Sequence, residues 1–367
     1  MLPEPEADAL AASAMLLERI RAELKSGGNW IGFEHYMALA LYEPGLGYYA
    51  GGSAKLGAPG DFATAPEMGT LFARTLARQV AALLQPGEAI LEFGAGSGAL
   101  AEALIGELSP ERYLILETSA GLRARQEARL GAGVKWIDRL PERFRGVMLA
   151  NEVADAMPVH ALAWRANGIL ERGVSEIEGK LFWAERPASS ELLAAARRIE
   201  VPVPYESEIG LVGRAWMKLL AARLERGALL VIDYGFPQRE YYHPQRTMGT
   251  LMCHYRHRAH GDVFFHPGLQ DITAHVDFSA LARAATASGL DLIGYANQAQ
   301  FLVNCGITEV LEREDAADAV RYAPRAAEAQ MLLSPAEMGE LFKVLAVGRG
   351  VSRPLLGFAS GDRSHTL

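Results

Sequence analysis

The sequence predicts an α/β fold built on a parallel sheet with helices on both faces. Three observations predict it. From Ala89 onward, short apolar runs alternate with amphipathic helical stretches, the pattern of buried strands joined by crossover helices. The stretch "AILEFGAGSGALAEAL", beginning at Ala89, is an apolar run ending at Phe93, then a turn with glycine at 94, 96 and 98, then a helix start. Much later, "ALLVIDYG" resumes the buried-strand pattern.

Taken in order, residues 9–24 have helical spacing, and Gly27 with Gly28 stops the helix. Residues 42–69 are dense in Gly, Pro and Tyr and read as a loop. Loops of that length tend to be lids or binding loops. Helical spacing returns over 68–84. Then "AILEFG" reads as strand, "GALAEALIGEL" as helix, "RYLILE" as strand, "SAGLRARQEARL" as helix, and "VKWID" and "GVMLANEV" as strands. "ALAWRANGILERGVSEIEGKLFWAE", from 161, reads as antiparallel strands with Asn167-Gly168 as a turn. Two helices are expected next, ending near Arg226, before the fifth strand "ALLVIDYG". Residues 236–276, rich in His, Tyr, Pro and Gly, read as irregular. Asp277 is placed to cap the helix "FSALARAATASG", and "LDLIGYANQ" is a further strand. In the helical tail, Ser334 and Glu337 make a capping box with Pro335 at the first helical position. "LFKVLAVGRG" supplies the last strand.

The 367 residues exceed what one core fills, so one large elaborated domain or two is expected. A net charge of -8 argues against nucleic-acid binding through a broad basic surface. Cys253 and Cys305 make neither a disulfide framework nor a zinc cage. The acidic first residues lack the marks of a secretory or mitochondrial leader, and no apolar run reaches transmembrane length. A cytoplasmic protein without membrane insertion is expected. Nothing in the sequence fixes the oligomeric state; the helices near 9–24 and after 300 read as cover for the sheet.

The glycine turn points to a nucleotide-like ligand. Gly94, Gly96 and Gly98 let the backbone turn sharply and approach a ligand, and the following helix aims its free N–H groups at the same place. "GAGSGA" fits the dinucleotide template G-x-G-x-x-G/A, with Ala99 last, and fits equally the x-G-x-G-x-G turn of S-adenosylmethionine methyltransferases. Glu92, two positions before the first glycine, is where the methyltransferase turn typically has an acid. Glu117 ends the second strand, where a carboxylate accepts both ribose hydroxyls of NAD or S-adenosylmethionine alike.

A second cluster follows the fourth strand, "ANEVADAMPVH" from Ala150. Ligands of open parallel sheets sit outside the carboxyl ends of the strands, which places Asn151, Glu152 and Asp155 near the reacting group. Two carboxylates in one short loop grip a cation from two sides. Asp138, after the third strand, is placed toward an adenine edge, and Asp233 with Tyr234 closes the fifth strand in the same layer. His254, His257 and His260 recur at three-residue spacing, but without the helical support or acidic pattern of a metal motif, so no metal site is expected.

These residues carry a resemblance. The chain resembles the MidA family of S-adenosylmethionine-dependent methyltransferases, which includes the mitochondrial complex I assembly factor that methylates an arginine. Four stretches hold the resemblance: "GDFATAPEMG" at Gly60, "LEFGAGSGAL" at Leu91, "NEVADAMPVH" at Asn151 and "PGLQDITAHVDFSAL" at Pro267. It implies a class I methyltransferase fold, a seven-stranded, mostly parallel sheet whose last strand is antiparallel. It divides the chain into an N-terminal helical and lid region over 1–70 and a methyltransferase domain over 71–367, with substrate-side insertions near 161–226 and 236–276. It implies that "GDFATAPE" packs over the cofactor, making Thr64 and Glu67 candidates for holding it. S-adenosyl-L-methionine is then the cofactor, and the cofactor-binding set is Thr64, Glu67, Glu92, Gly94, Gly96, Gly98, Glu117, Asp138 and Asn151.

The acceptor implied is a protein arginine, in a respiratory-complex subunit by analogy with the mitochondrial members. Glu152 and Asp155 are the candidates that grip its guanidinium, by likeness to the two-glutamate loop of protein arginine methyltransferases. The acidic N-terminus departs from the mitochondrial members, so a bacterial member is expected. A small-molecule methyltransferase and a cofactor-binding assembly chaperone are the competing readings. A dehydrogenase ranks behind both, because the other stretches do not belong to that class.

Overall fold

Seven strands carry the site: β1 Ala89–Phe93, β2 Tyr113–Leu116, β3 Lys135–Ile137, β4 Phe144–Asn151, β5 Leu224–Phe236, β6 Asp291–Asn297 and β7 Phe342–Arg349. In this computed structural model, which describes residues 2–51, 64–313 and 318–367, they lie in the order β6-β7-β5-β4-β1-β2-β3. Neighbours from β5 through β4, β1 and β2 to β3 are parallel. Only β7 runs against its neighbours, β5 on one side and β6 on the other. This is the mostly parallel sheet with an antiparallel last strand that the resemblance implies. Residues 60–63 of the "GDFATAPEMG" stretch, like the rest of 52–63, lie outside the described residues.

The chain divides into two units by its internal contacts. One, the sheet unit, comprises Ala63–Ala154, Ala215–Pro237 and Phe278–Leu367; the other comprises Met1–Phe62, Asp155–Arg214 and Gln238–Asp277.

In the sheet unit the central strands are apolar on both faces. Ile90, Val147, Leu149, Leu230, Ile232 and Val344 share one core with Leu71, Leu76 and Val80 of helix Leu71–Leu83. The alternate residues Leu229, Val231, Leu345 and Val347 are equally buried and point the other way, because side chains alternate along a strand. Helix Phe278–Ala287 packs on the strands there, with Phe278 tilted against Tyr295 of β6 at 5.4 Å. Burial on both faces is why these strands read as continuous apolar runs. From β1 the chain proceeds to β2 and β3 on one side and then returns to β4 and β5 on the other. The carboxyl ends of β1 and β4 therefore flank a topological switch point, where open α/β sheets bind ligands.

The second unit is antiparallel. Gly168–Ile177 pairs with His160–Arg165, with Lys180–Pro187 and with Ile31–Gly32. Helix Ala7–Ser26 sends Leu16, Ile20 and Leu24, spaced by four, into its core.

Two local expectations are corrected, and one strand is added. Arg165 pairs with Gly168, so the hairpin loop is Ala166-Asn167, one residue earlier than Asn167-Gly168; Gly168 begins the next strand at φ 135°. The two expected helices form, as Ser190–Ala196 and Leu211–Arg223, and between them the chain adds a strand, Tyr205–Ile209, paired with His160–Arg165. Its polar alternation, "YESEI", hides a strand whose Tyr205, Ser207, Glu208 and Ile209 are all buried. The capping box does not form: Ser334 acts through its backbone carbonyl, taking N–H bonds from Glu337 and Gly339, and the helix is only Met338–Leu341. The irregular region also contains a small sheet, Met252–Tyr255 between Arg258–His260 and Asp271–Thr273. His254 and His260 are placed on it.

Candidate active site

All three turn glycines are left-handed: Gly94 has φ 57°, Gly96 φ 56° and Gly98 φ 84°. A residue with a Cβ is strained there, so the sequence has little alternative to glycine. The Gly94 N–H donates to the Leu116 carbonyl at 3.0 Å and Gly98 N–H to the Ala95 carbonyl at 2.8 Å, which folds the loop back over the end of the sheet. Helix Ala99–Leu108 starts at once, with Gly98 as N-cap and no side chain on the cap. Its first amides are left to a ligand or solvent.

Glu92 lies under this turn. It is 2% exposed, and the Tyr113 hydroxyl donates to its Oε2 at 2.6 Å. Burial pushes its carboxyl up to about 7, with the Tyr113 bond opposing and the Glu117 charge adding. Glu92 thus braces β1 against β2 from inside the core. Glu117, just past β2, is partly exposed. Its Oε1 accepts the Ser119 N–H at 2.9 Å and its Oε2 the Gln126 amide at 3.0 Å. Burial raises its pKa above the ordinary value, and these bonds pull it back. Each carboxylate oxygen has two lone pairs, so acceptor capacity remains for a diol.

The short helix Ala65–Met68 brings Glu67 to the glycine turn, where the Ser97 hydroxyl donates to it. Thr64 is the N-cap of that helix and acts through its carbonyl, which takes the Glu67 N–H at 2.9 Å. Ser97 also receives Arg129 Nη1 at 2.9 Å. Asp138 is placed differently. Its side chain is 85% exposed and pairs with Arg123 at 2.8 Å, past the end of β3.

At the neighbouring strand end, Asn151 closes β4 and its Nδ2 donates to Glu152 Oε1 at 3.2 Å. Glu152 itself has φ 52°, a left-handed conformation unusual outside glycine. Its N–H donates to the Ile232 carbonyl of β5 at 2.9 Å. Asp233, fully buried, accepts the N–H of Ala154 and of Tyr234, both at 2.9 Å. Asp233 is thus the clasp of the acidic loop. Phe93 pairs with Ala150 across β1 and β4, so the glycine turn and Glu152 leave adjacent strands at the same edge. Asp155 belongs to the second unit, where it is buried and its carbonyl takes the Ala274 N–H at 3.0 Å. There its charge, behind burial and the charge of Asp271, helps raise the pKa of Tyr49, whose hydroxyl donates to Asp271 Oδ1 at 3.0 Å.

Sequence reasoning missed Gln126. It is the buried residue of helix Ala120–Leu130 and spans the turn and Glu117. The available signal was its spacing: Leu122, Gln126 and Leu130 fall four apart, so a polar amide stands in an apolar stripe.

Residues 71–296 match the model of a family described as "Putative S-adenosyl-L-methionine-dependent methyltransferase". The chain belongs to this family. Similar curated proteins include Protein arginine methyltransferase NDUFAF7, mitochondrial, of Danio rerio, 30% identical over 90% of this chain and 86% of the relative. The Drosophila melanogaster homologue is 28% identical over 97% and 91%. Among solved structures, a superfamily member from Burkholderia thailandensis bound to S-adenosyl-homocysteine is 50% identical, covers 100% of both chains and superposes with a TM-score of 0.96.

S-adenosyl-L-methionine is the cofactor of the family, and the residues fit it. The three left-handed glycines of the turn leave room for the ligand against backbone. Glu117 offers acceptors for a ribose diol, and the uncapped helix offers donors.

Proposed function

We propose that this methyltransferase acts on an arginine side chain of a protein. The observation that carries the reading is the acidic loop after β4. Glu152 is held in a left-handed conformation by the Ile232 carbonyl, beside the glycine turn of the adjacent strand. The names of the curated relatives support the same acceptor.

When bound, the cofactor supplies an electrophilic methyl group on sulfur. The chain's own work is to hold and orient. Glu117 and the glycine turn fix the adenosine end. Thr64 and Glu67 steady that turn from the side, and Asn151 orients Glu152. Asp138 is instead paired with Arg123 in solvent. A protonated guanidinium is a poor nucleophile because its charge is delocalised. A carboxylate that localises positive charge on the nitrogens that do not attack leaves the remaining nitrogen more nucleophilic. Glu152 fills that role at the carboxyl end of β4.

The test is mass spectrometry of cellular protein incubated with the enzyme and labelled S-adenosyl-L-methionine. The expected product is methylarginine in peptides. Glu152→Gln is expected to cut turnover about a hundredfold, as removal of one charge-stabilising group does, with cofactor affinity nearly unchanged. Label found only in small molecules, or full activity of Glu152→Gln on a proven arginine substrate, overturns the reading.

A further inference from the structure

The Gln126 amide makes three hydrogen bonds at the cofactor site, two through Nε2 and one through Oε1. Its Nε2 donates to the Gly96 carbonyl at 2.9 Å and to Glu117 Oε2 at 3.0 Å. Its Oε1 accepts the indole N–H of Trp136, on β3, at 3.0 Å. The side chain is fully buried. An indole is a donor only, and a carbonyl and a carboxylate are acceptors only. A flipped amide would set acceptor against acceptor twice and donor against donor once. Trp136 therefore fixes which end of the amide faces Glu117.

We propose that Gln126, oriented by Trp136, is a positioning residue of the cofactor site that locks the ribose-binding carboxylate of Glu117 to the glycine turn. The inference goes beyond the arginine reading and is independent of the acceptor. It rests on Glu117 as the acid that holds the ribose.

The chemistry supports a second effect of the same contact. Glu117 is pushed toward its neutral form by burial, with Ser119, Gln126 and Thr118 donating against that push. Among the described residues, the charged group coupled to it is Glu92 of β1, bonded in turn to Tyr113 of β2. Gln126 is the side-chain donor in this set. Without it, Glu117 takes up a proton at a higher pH, and a neutral carboxyl is a poorer acceptor for two hydroxyls. Cofactor affinity then becomes steeper with pH, falling as pH falls.

The experiment is calorimetric titration of the full chain with S-adenosyl-L-methionine at a series of pH values around neutrality. Gln126→Met keeps the length and removes the hydrogen bonds; Trp136→Phe keeps a ring and removes the indole donor. Gln126→Met is expected to weaken binding about tenfold at neutral pH, the scale of one hydrogen bond to a charged group. The loss should deepen on the acid side and shrink on the alkaline side. Trp136→Phe is expected to give a smaller loss with the same slope. A folded Gln126→Met protein with wild-type affinity and pH profile overturns the proposal. So does a loss equal at every pH, the signature of packing alone. If Gln126→Met does not fold, wild-type behaviour of Trp136→Phe overturns it. Glu117→Gln, measured alongside, separates the premise: unchanged affinity in that variant removes Glu117 from the ribose site, whatever Gln126 does.

Discussion

Replacing Glu92 with glutamine should change how stability depends on pH, and the size follows from the burial of that side chain. Glu92 is 2% exposed, and its carboxyl titrates at about 7 in the fold against an ordinary value of 4.5. At about 1.4 kcal/mol for each pH unit, that difference amounts to about 3 kcal/mol. The sign is fixed by which state holds the proton. Below pH 4.5 the carboxyl is protonated in both states, and the buried acid donates or accepts at no ionisation cost. Between 4.5 and 7 the unfolded chain releases its proton and the folded chain does not, so stability falls as pH rises. Above about 7 the whole amount has been lost. Glutamine has no proton to release and is flat over this range. The assay is urea denaturation of wild type and Glu92→Gln across the interval, followed by the fluorescence of the tryptophans. The glutamine variant should gain on wild type by about 3 kcal/mol from acid to alkaline conditions. Glu117 has a raised pKa of its own in both proteins, so its contribution largely subtracts. Midpoints of the two proteins that run parallel with pH would refute the reasoning and place the Glu92 proton elsewhere.

Other outcomes follow from the same geometry. Gly96→Val sets a β-branched residue at φ 56°; calorimetry should show loss of S-adenosyl-L-methionine binding, with the fold retained by circular dichroism. Asp233→Asn leaves one of the Ala154 and Tyr234 amides facing an NH2 group; about 2 kcal/mol of stability should be lost, and turnover should fall more than cofactor affinity. Glu328 accepts the Leu71 N–H at 2.7 Å and the Phe72 N–H at 3.3 Å while paired with Arg325 at 3.0 Å. Glu328→Ala uncaps helix Leu71–Leu83 and should lower the urea midpoint by an amount equivalent to about 2–3 kcal/mol.

The central sheet was legible because its strands are apolar on both faces. "AILEF" and "ALLVIDYG" cannot alternate polar with apolar when helices cover both sides. The second unit was harder to read. Tyr205–Ile209 carries two glutamates, and Glu208 is buried where Thr250 and Tyr241 donate to it. Its partners lie far along the chain, so no local pattern announces the strand. At the site, the glycines were legible because a left-handed turn constrains residue type locally. Gln126 was not, since what makes it matter is the meeting of Gly96, Glu117 and Trp136.

The sequence by itself determined the strand–turn–helix unit at Ala89, the identity of its glycines and the acids that follow the strands. These depend on steric limits and periodicity within a few residues. Only the tertiary structure decided what each acid does. Glu92 turns inward to Tyr113, Glu117 meets Gln126, Asp233 clasps the loop of Glu152, and Asp138 stays in solvent beside Arg123. The physical reason is that a carboxylate's role is set by its burial and by the donors around it. Those donors come from distant parts of the chain and meet only when the sheet is built.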